Sequence, residues 1–159
     1  MPLQKISFSI AGEDQYIRGF EATAQEAEDL SEPLGKIGEL LRLDVSEQFR
    51  TEGAVGAGGR WQPLNPTYEA WKRSEVGDEP ILVFTGAMRS AAISKSAISV
   101  SPKQLVYEID DPKAIHHQRG DGDLPVRKLV DLSLSQRRAW DRVFADWLNA
   151  IRRGPIGVH

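Results

Sequence analysis

Four groups of residues in this 159-residue chain have the types that chemistry uses. The first is His116 and His117 with Asp110, Asp111, Asp121 and Asp123 close by, a composition suited to a cation. Adjacent histidines point about 100° apart on a helix and to opposite faces of a strand, which makes them poor partners for one ion. No His-x-x-x-His or Glu-x-x-His spacing accompanies them, so His117 is expected to satisfy a backbone carbonyl at a turn, with no metal and no cofactor. The second is the carboxylate set Glu69, Glu75, Asp78 and Glu79, which has the group types of a wall-degrading glycosidase. Its spacing describes a solvated acidic loop equally well. The third is Thr85-Gly86: no Gly-x-Ser-x-Gly elbow surrounds it, and a threonine before a short helix serves as a cap. The fourth is Arg60, Lys72, Arg73 and Arg89 around Trp61 and Trp71, a mixture that can meet phosphates and stack on bases, or anchor a protein interface.

The whole chain narrows these options. Twenty Lys and Arg stand against 23 Asp and Glu, and the net charge of −3 supplies no basic field for non-specific nucleic-acid binding. There is no cysteine, which removes disulfides, thiolate metal sites and cysteine nucleophiles together. No apolar run approaches the roughly 20 residues of a membrane span, and the first residues lack a signal-peptide pattern, so a soluble protein made in the cytoplasm is expected. The expectation is a single domain over residues 1–159 that is not an enzyme.

The elements that position these residues follow from periodicity. Ile6, Phe8 and Ile10 alternate as in a strand, and residues 15–20 offer a return strand. Leu34, Ile37, Leu41, Val45 and Phe49 recur at three- and four-residue steps, predicting an amphipathic helix over 32–51 with Ser31 as cap candidate and Pro33 in its first turn. Gly35 and Gly38 either permit a close crossing there, mark a weak first turn or are merely tolerated. Residues 53–60 read as a flexible glycine-rich loop unless something clamps them, and Trp61 to Pro66 as an extended loop, since two prolines three apart continue neither a helix nor a central strand. Pro66 starts a short helix through Lys72, and Thr85 caps another over 86–92. Residues 98–100 and 105–109 form a hairpin about the turn Ser101-Pro102-Lys103-Gln104. Trp140, Val143, Phe144, Trp147, Leu148 and Ile151 mark one face of a helix over 134–152, with Ser133 or Ser135 as its cap. The fold expected is α+β: an antiparallel sheet of about four strands packed against two long amphipathic helices on one face, with the extended Trp/Pro loop.

The order of short motifs resembles the phage virion-morphogenesis (tail-completion) family of tailed bacteriophages. Trp61, Pro63, Leu64, Thr67 and Lys72 match its W-x-P-L…T…K segment. Ile81, Leu82, Thr85, Gly86, Met88, Arg89 and Ser90 match the "iLxxTGxLrxS" that follows. Residues 114–120 are similar to its A-x-x-H-Q-F-G, aligning His117, Gln118 and Gly120, with Arg119 where an aromatic is usual. Residues 125–133, Arg127 among them, look like P-A-R-P-F-L-G-L-S, with Lys128 replacing a proline and Leu129 an aromatic.

The resemblance covers roughly residues 40–135. It implies a structural virion protein of tail completion or head–tail joining, in the neck or tail-terminator region, acting as a homo-oligomeric ring, six copies by that implication. Its partners would be itself and other neck or tail proteins, such as connector and tail tube or terminator, with no membrane. No specific nucleic acid is expected, although DNA can pass through such a ring. The residues expected at interfaces are Arg60, Trp61, Pro63, Leu64, Thr67, Trp71, Lys72, Thr85, Gly86, Arg89, His117, Gln118, Gly120 and Arg127. The rival readings are a phage hydrolase and a nucleic-acid-binding module.

Overall fold

Helix α1 (Ser31–Arg50) carries the apolar stripe that the spacing predicts, and Leu34, Ile37, Leu41, Val45 and Phe49 are all buried. The computed structural model describes residues 6–10 and 29–153. Ser31 lies inside the helix instead of capping it: its amide donates to Asp29 Oδ1 at 2.8 Å. The two glycines of the first turns have different reasons. A Cβ on Gly38 would stand 2.8 Å from Ile98 Cγ2 and 2.9 Å from Leu105 Cδ1, so Gly38 lets the helix lie close on the sheet. A Cβ on Gly35 would meet nothing within 4 Å, and that glycine is simply tolerated.

Three antiparallel strands make the sheet, β1 (Ile6–Ile10), β2 (Ile98–Ser101) and β3 (Gln104–Ile109), in the order β1-β3-β2. Ile6 opposes Ile109 and Ile10 opposes Leu105, while Ser101 opposes Gln104 across the two-residue turn Pro102-Lys103. Four strands were expected; the proposed return strand, 15–20, lies outside the described residues. The central strand follows period two, with Leu105, Tyr107 and Ile109 fully buried. Burial pushes the Tyr107 phenol well above its ordinary range, and its hydroxyl donates to the carbonyl of Ala92.

The short helices are α2 (Pro66–Val76), α3 (Ala87–Ile93) and α4 (Pro112–Arg119), and a single 3-10 turn (Lys95–Ala97) leads into β2. The last helix, α5 (Leu134–Arg153), begins with a reciprocal capping box: the Gln136 amide donates to Ser133 Oγ, and the Ser133 amide to Gln136 Oε1. Both long helices are present, but they do not share one face of the sheet. Helix α1 packs on β2 and β3, and α5 packs on α1. Helix α5 buries Trp147 and Leu148 and packs the partly buried Trp140 and Phe144 against the core. No helix among the described residues is long and apolar enough to cross a membrane.

Candidate interaction groove

The segment between α1 and α2 is clamped into a closed turn. Gly53 N donates to Gln48 O, Trp61 N to Glu52 O at 2.7 Å, and Gly58 N to the Asp131 carboxylate at 2.6 Å. A side chain on Gly56 would stand 2.7 Å from Asp131 Oδ2 and 2.8 Å from Gln48 Nε2, so these glycines admit the groups that hold the turn. Trp61 closes it. The indole is only 6 % exposed, meets the Phe49 ring edge-to-face at 5.8 Å, and donates from Nε1 to Lys128 O at 3.0 Å.

Three more of the polar residues expected at an interface serve the inside of this chain. Buried Lys72 donates from Nζ to the carbonyls of Glu79 and Pro80, both at 2.6 Å, and so closes the loop after α2. Buried Arg127 reaches the Gln62 and Pro63 carbonyls at 3.0 and 3.2 Å, holding the Pro-rich loop whose prolines leave it few backbone bonds of its own. Gln118 Oε1 accepts from the Leu129 and Val130 amides, and its Nε2 donates to Val130 O. Within the chain itself Trp61, Lys72, Gln118 and Arg127 thus fasten loops, because buried loop carbonyls and amides that no sheet ladder pairs need other partners.

What these fastenings leave outside is apolar. Asn65 caps α2 by accepting from the Thr67 amide at 3.0 Å, and the helix then presents Tyr68 and Trp71 on one face. Trp71, 50 % exposed, stacks on Phe84 with ring centroids 5.5 Å apart and planes 11° off parallel, and Tyr68 leans on Trp71 at 5.5 Å. Phe84 is turned outward while its neighbour Val83 is buried, after Leu82 takes a left-handed φ of 65°, a conformation that costs a non-glycine residue roughly 1–3 kcal/mol. Exposed Leu124 and half-buried Leu64 complete a groove of about 560 Å³, with Lys113, His117 and Arg127 on its walls.

The phage virion morphogenesis model matches residues 14–148 of this chain. The chain belongs to that family, and its role lies in phage virion assembly. No curated protein matches it, and no solved structure does.

In this family member the remaining expected residues scatter around the groove. Thr85 and Gly86 line it: Thr85 Oγ1 accepts from the Ala87 amide at 3.3 Å, and Gly86 sits at φ 80° as α3 begins. Gly120, at φ 74°, ends α4 against Val126 and Leu124. His117 does not bind a turn carbonyl through Nδ1, which is buried without a partner; burial first, then the charge of Arg127, holds its pKa below the usual value. The turn is served by His116, whose Nδ1 lies 2.8 Å from Asp121 Oδ2. Arg60 and Thr67 are exposed outside the groove, as is Pro63, whose carbonyl Arg127 holds. Arg89 is half-buried, its Nε without a partner. Of the acidic set, Glu69 and Asp78 both pair with Arg73, at 3.5 and 3.2 Å.

Tyr68, Phe84, Lys113 and Leu124 are among the groove residues that the sequence did not mark as interface residues. The i, i+3 spacing of Tyr68 and Trp71 was a usable signal, since it places both on one face of a helix. Phe84 carried none, because its direction depends on the backbone at Leu82.

Proposed function

We propose that this protein is a structural, non-enzymatic component of the virion that acts in tail completion or head–tail joining, in the neck or tail-terminator region, as a ring of copies. The observation that supports this reading is the exposed strip Tyr68–Trp71–Phe84. Three aromatic rings in series, half in water beside a groove, are what an assembly surface offers and what a free monomer gains nothing by keeping. The strip lies between two of the motifs that carry the family likeness, W-x-P-L and T-G-x-hydrophobic-R-S. The ion pairing of Glu69 and Asp78 through Arg73 favours a solvated acidic surface over a carboxylate pair poised for hydrolysis.

The double substitution Trp71→Ser with Phe84→Ser tests it. Both rings are substantially exposed, so the melting temperature should change little, while incorporation into particles and yield of complete tails should collapse. Normal assembly by the double variant would sink the reading.

A further inference from the structure

We propose that the aromatic groove seats an acidic, apolar segment of a different virion protein, with a side-chain carboxylate between the aromatic strip and the cationic wall. The inference rests on the groove being an assembly surface and adds the chemistry of its occupant.

The argument is one of charge complementarity. The chain as a whole carries −3, yet the groove collects Lys72, Lys113 and Arg127, with His117 beside them, over an aromatic floor. Asp111 is the one carboxylate among its lining residues, and its Oδ1 is already engaged by the Lys113 amide at 2.8 Å as the cap of α4. No carboxylate lies within 4.0 Å of the Lys113 or Arg127 side chain among the described residues. Arg127 is buried, and its named bonds, from Nε and Nη2, go to neutral carbonyls, so its charge has no counter-ion of its own. A buried cation bonded only to carbonyls is incompletely compensated, and a carboxylate entering beside it meets a charge whose desolvation is already settled. The aromatic strip then takes the apolar neighbours of that carboxylate.

The same groove of a second copy fits less well. A face made of exposed rings beside the Lys72, Lys113 and Arg127 cations would set like charges together if it met itself, which costs several kcal/mol at an interface.

The test titrates the isotope-labelled full chain with two peptides, Ac-Gly-Leu-Asp-Phe-Gly-amide and its Asn counterpart, by NMR. The Asp peptide should shift amides in α2, at 84–87 and in α4, bind about tenfold tighter than the Asn peptide, and weaken as salt rises. Lys113→Glu, at an exposed site, should erase or invert that preference without loss of fold, and Trp71→Ala should weaken both peptides about thirtyfold. Equal binding of the two peptides, shifts elsewhere, or no binding at millimolar concentration would overturn the proposed occupant. So would self-association of the chain that Trp71→Ala abolishes. If the peptides fail while Trp71→Ser with Phe84→Ser still blocks particle incorporation, the occupant is wrong and the assembly surface stands. If that double variant assembles normally, both fall.

Discussion

A tryptophan between glycines and prolines looks, from composition, like an anchor for something else. Trp61 is instead the residue that seals this chain's own core, with Phe49 on one side and the Lys128 carbonyl on its nitrogen. Trp61→Ala should therefore destabilise the free protein by about 3–5 kcal/mol, the usual cost of emptying a large buried aromatic site. Chemical denaturation of the isolated chain measures it, and a loss below about 1 kcal/mol would return Trp61 to the surface. His117 makes a second residue-level prediction. Its folded-state pKa lies below the unfolded value of 6.5, so the stability it contributes is present above that value and is lost as pH falls through the folded one. Melting temperature should drop on acidification from about pH 7 to pH 5, and His117→Gln should flatten that slope.

At the scale of elements, periodicity located both long helices to within a residue or two, because each buries a single stripe whose spacing is written in the chain. Their mutual arrangement was not so written. Helix α5 packs on α1, and the contact includes Asp44, whose half-buried carboxyl is raised by burial and partly relieved by a hydrogen bond with Gln136. A folded-state pKa above the unfolded 3.8 means that its contribution is full below that value and lost as pH rises through the folded one. Asp44→Asn keeps an acceptor for Gln136 and removes the charge, so it should raise the unfolding midpoint at pH 7, with an advantage that shrinks as pH approaches about 4. Equal midpoints at both pH values would remove Asp44 from the account.

For the molecule as a whole, fastening and display are divided between residues that look alike on paper. Lys72, Gln118 and Arg127 spend their hydrogen bonds on loop carbonyls and amides, and this internal bracing keeps Tyr68, Trp71 and Phe84 outward. On the proposed function, the isolated chain should sediment as a monomer or weak oligomer and close into a ring only with its neck or tail partners, since an exposed strip of three rings is small beside the area of a stable interface. Sedimentation of the chain alone and with partners checks this. A stable ring of the isolated chain would show that the partners are dispensable for closure.

The sequence by itself determined the α+β class, the two amphipathic helices, the hairpin about Pro102-Lys103, the short helix begun by Pro66 and the one that follows Thr85-Gly86, and the family, because these depend on local spacing, on proline and glycine, or on ordered motifs; the cap of that second short helix is Gly86 and not Thr85. Only the tertiary structure decided which aromatic and which cation faces inward. Trp61 and Trp71 lie ten residues apart in equally polar surroundings, yet one is 6 % and the other 50 % exposed. What separates them is Phe49 and the Lys128 carbonyl, 12 residues before Trp61 and 67 after it, and no local pattern along the chain carries contacts of that range.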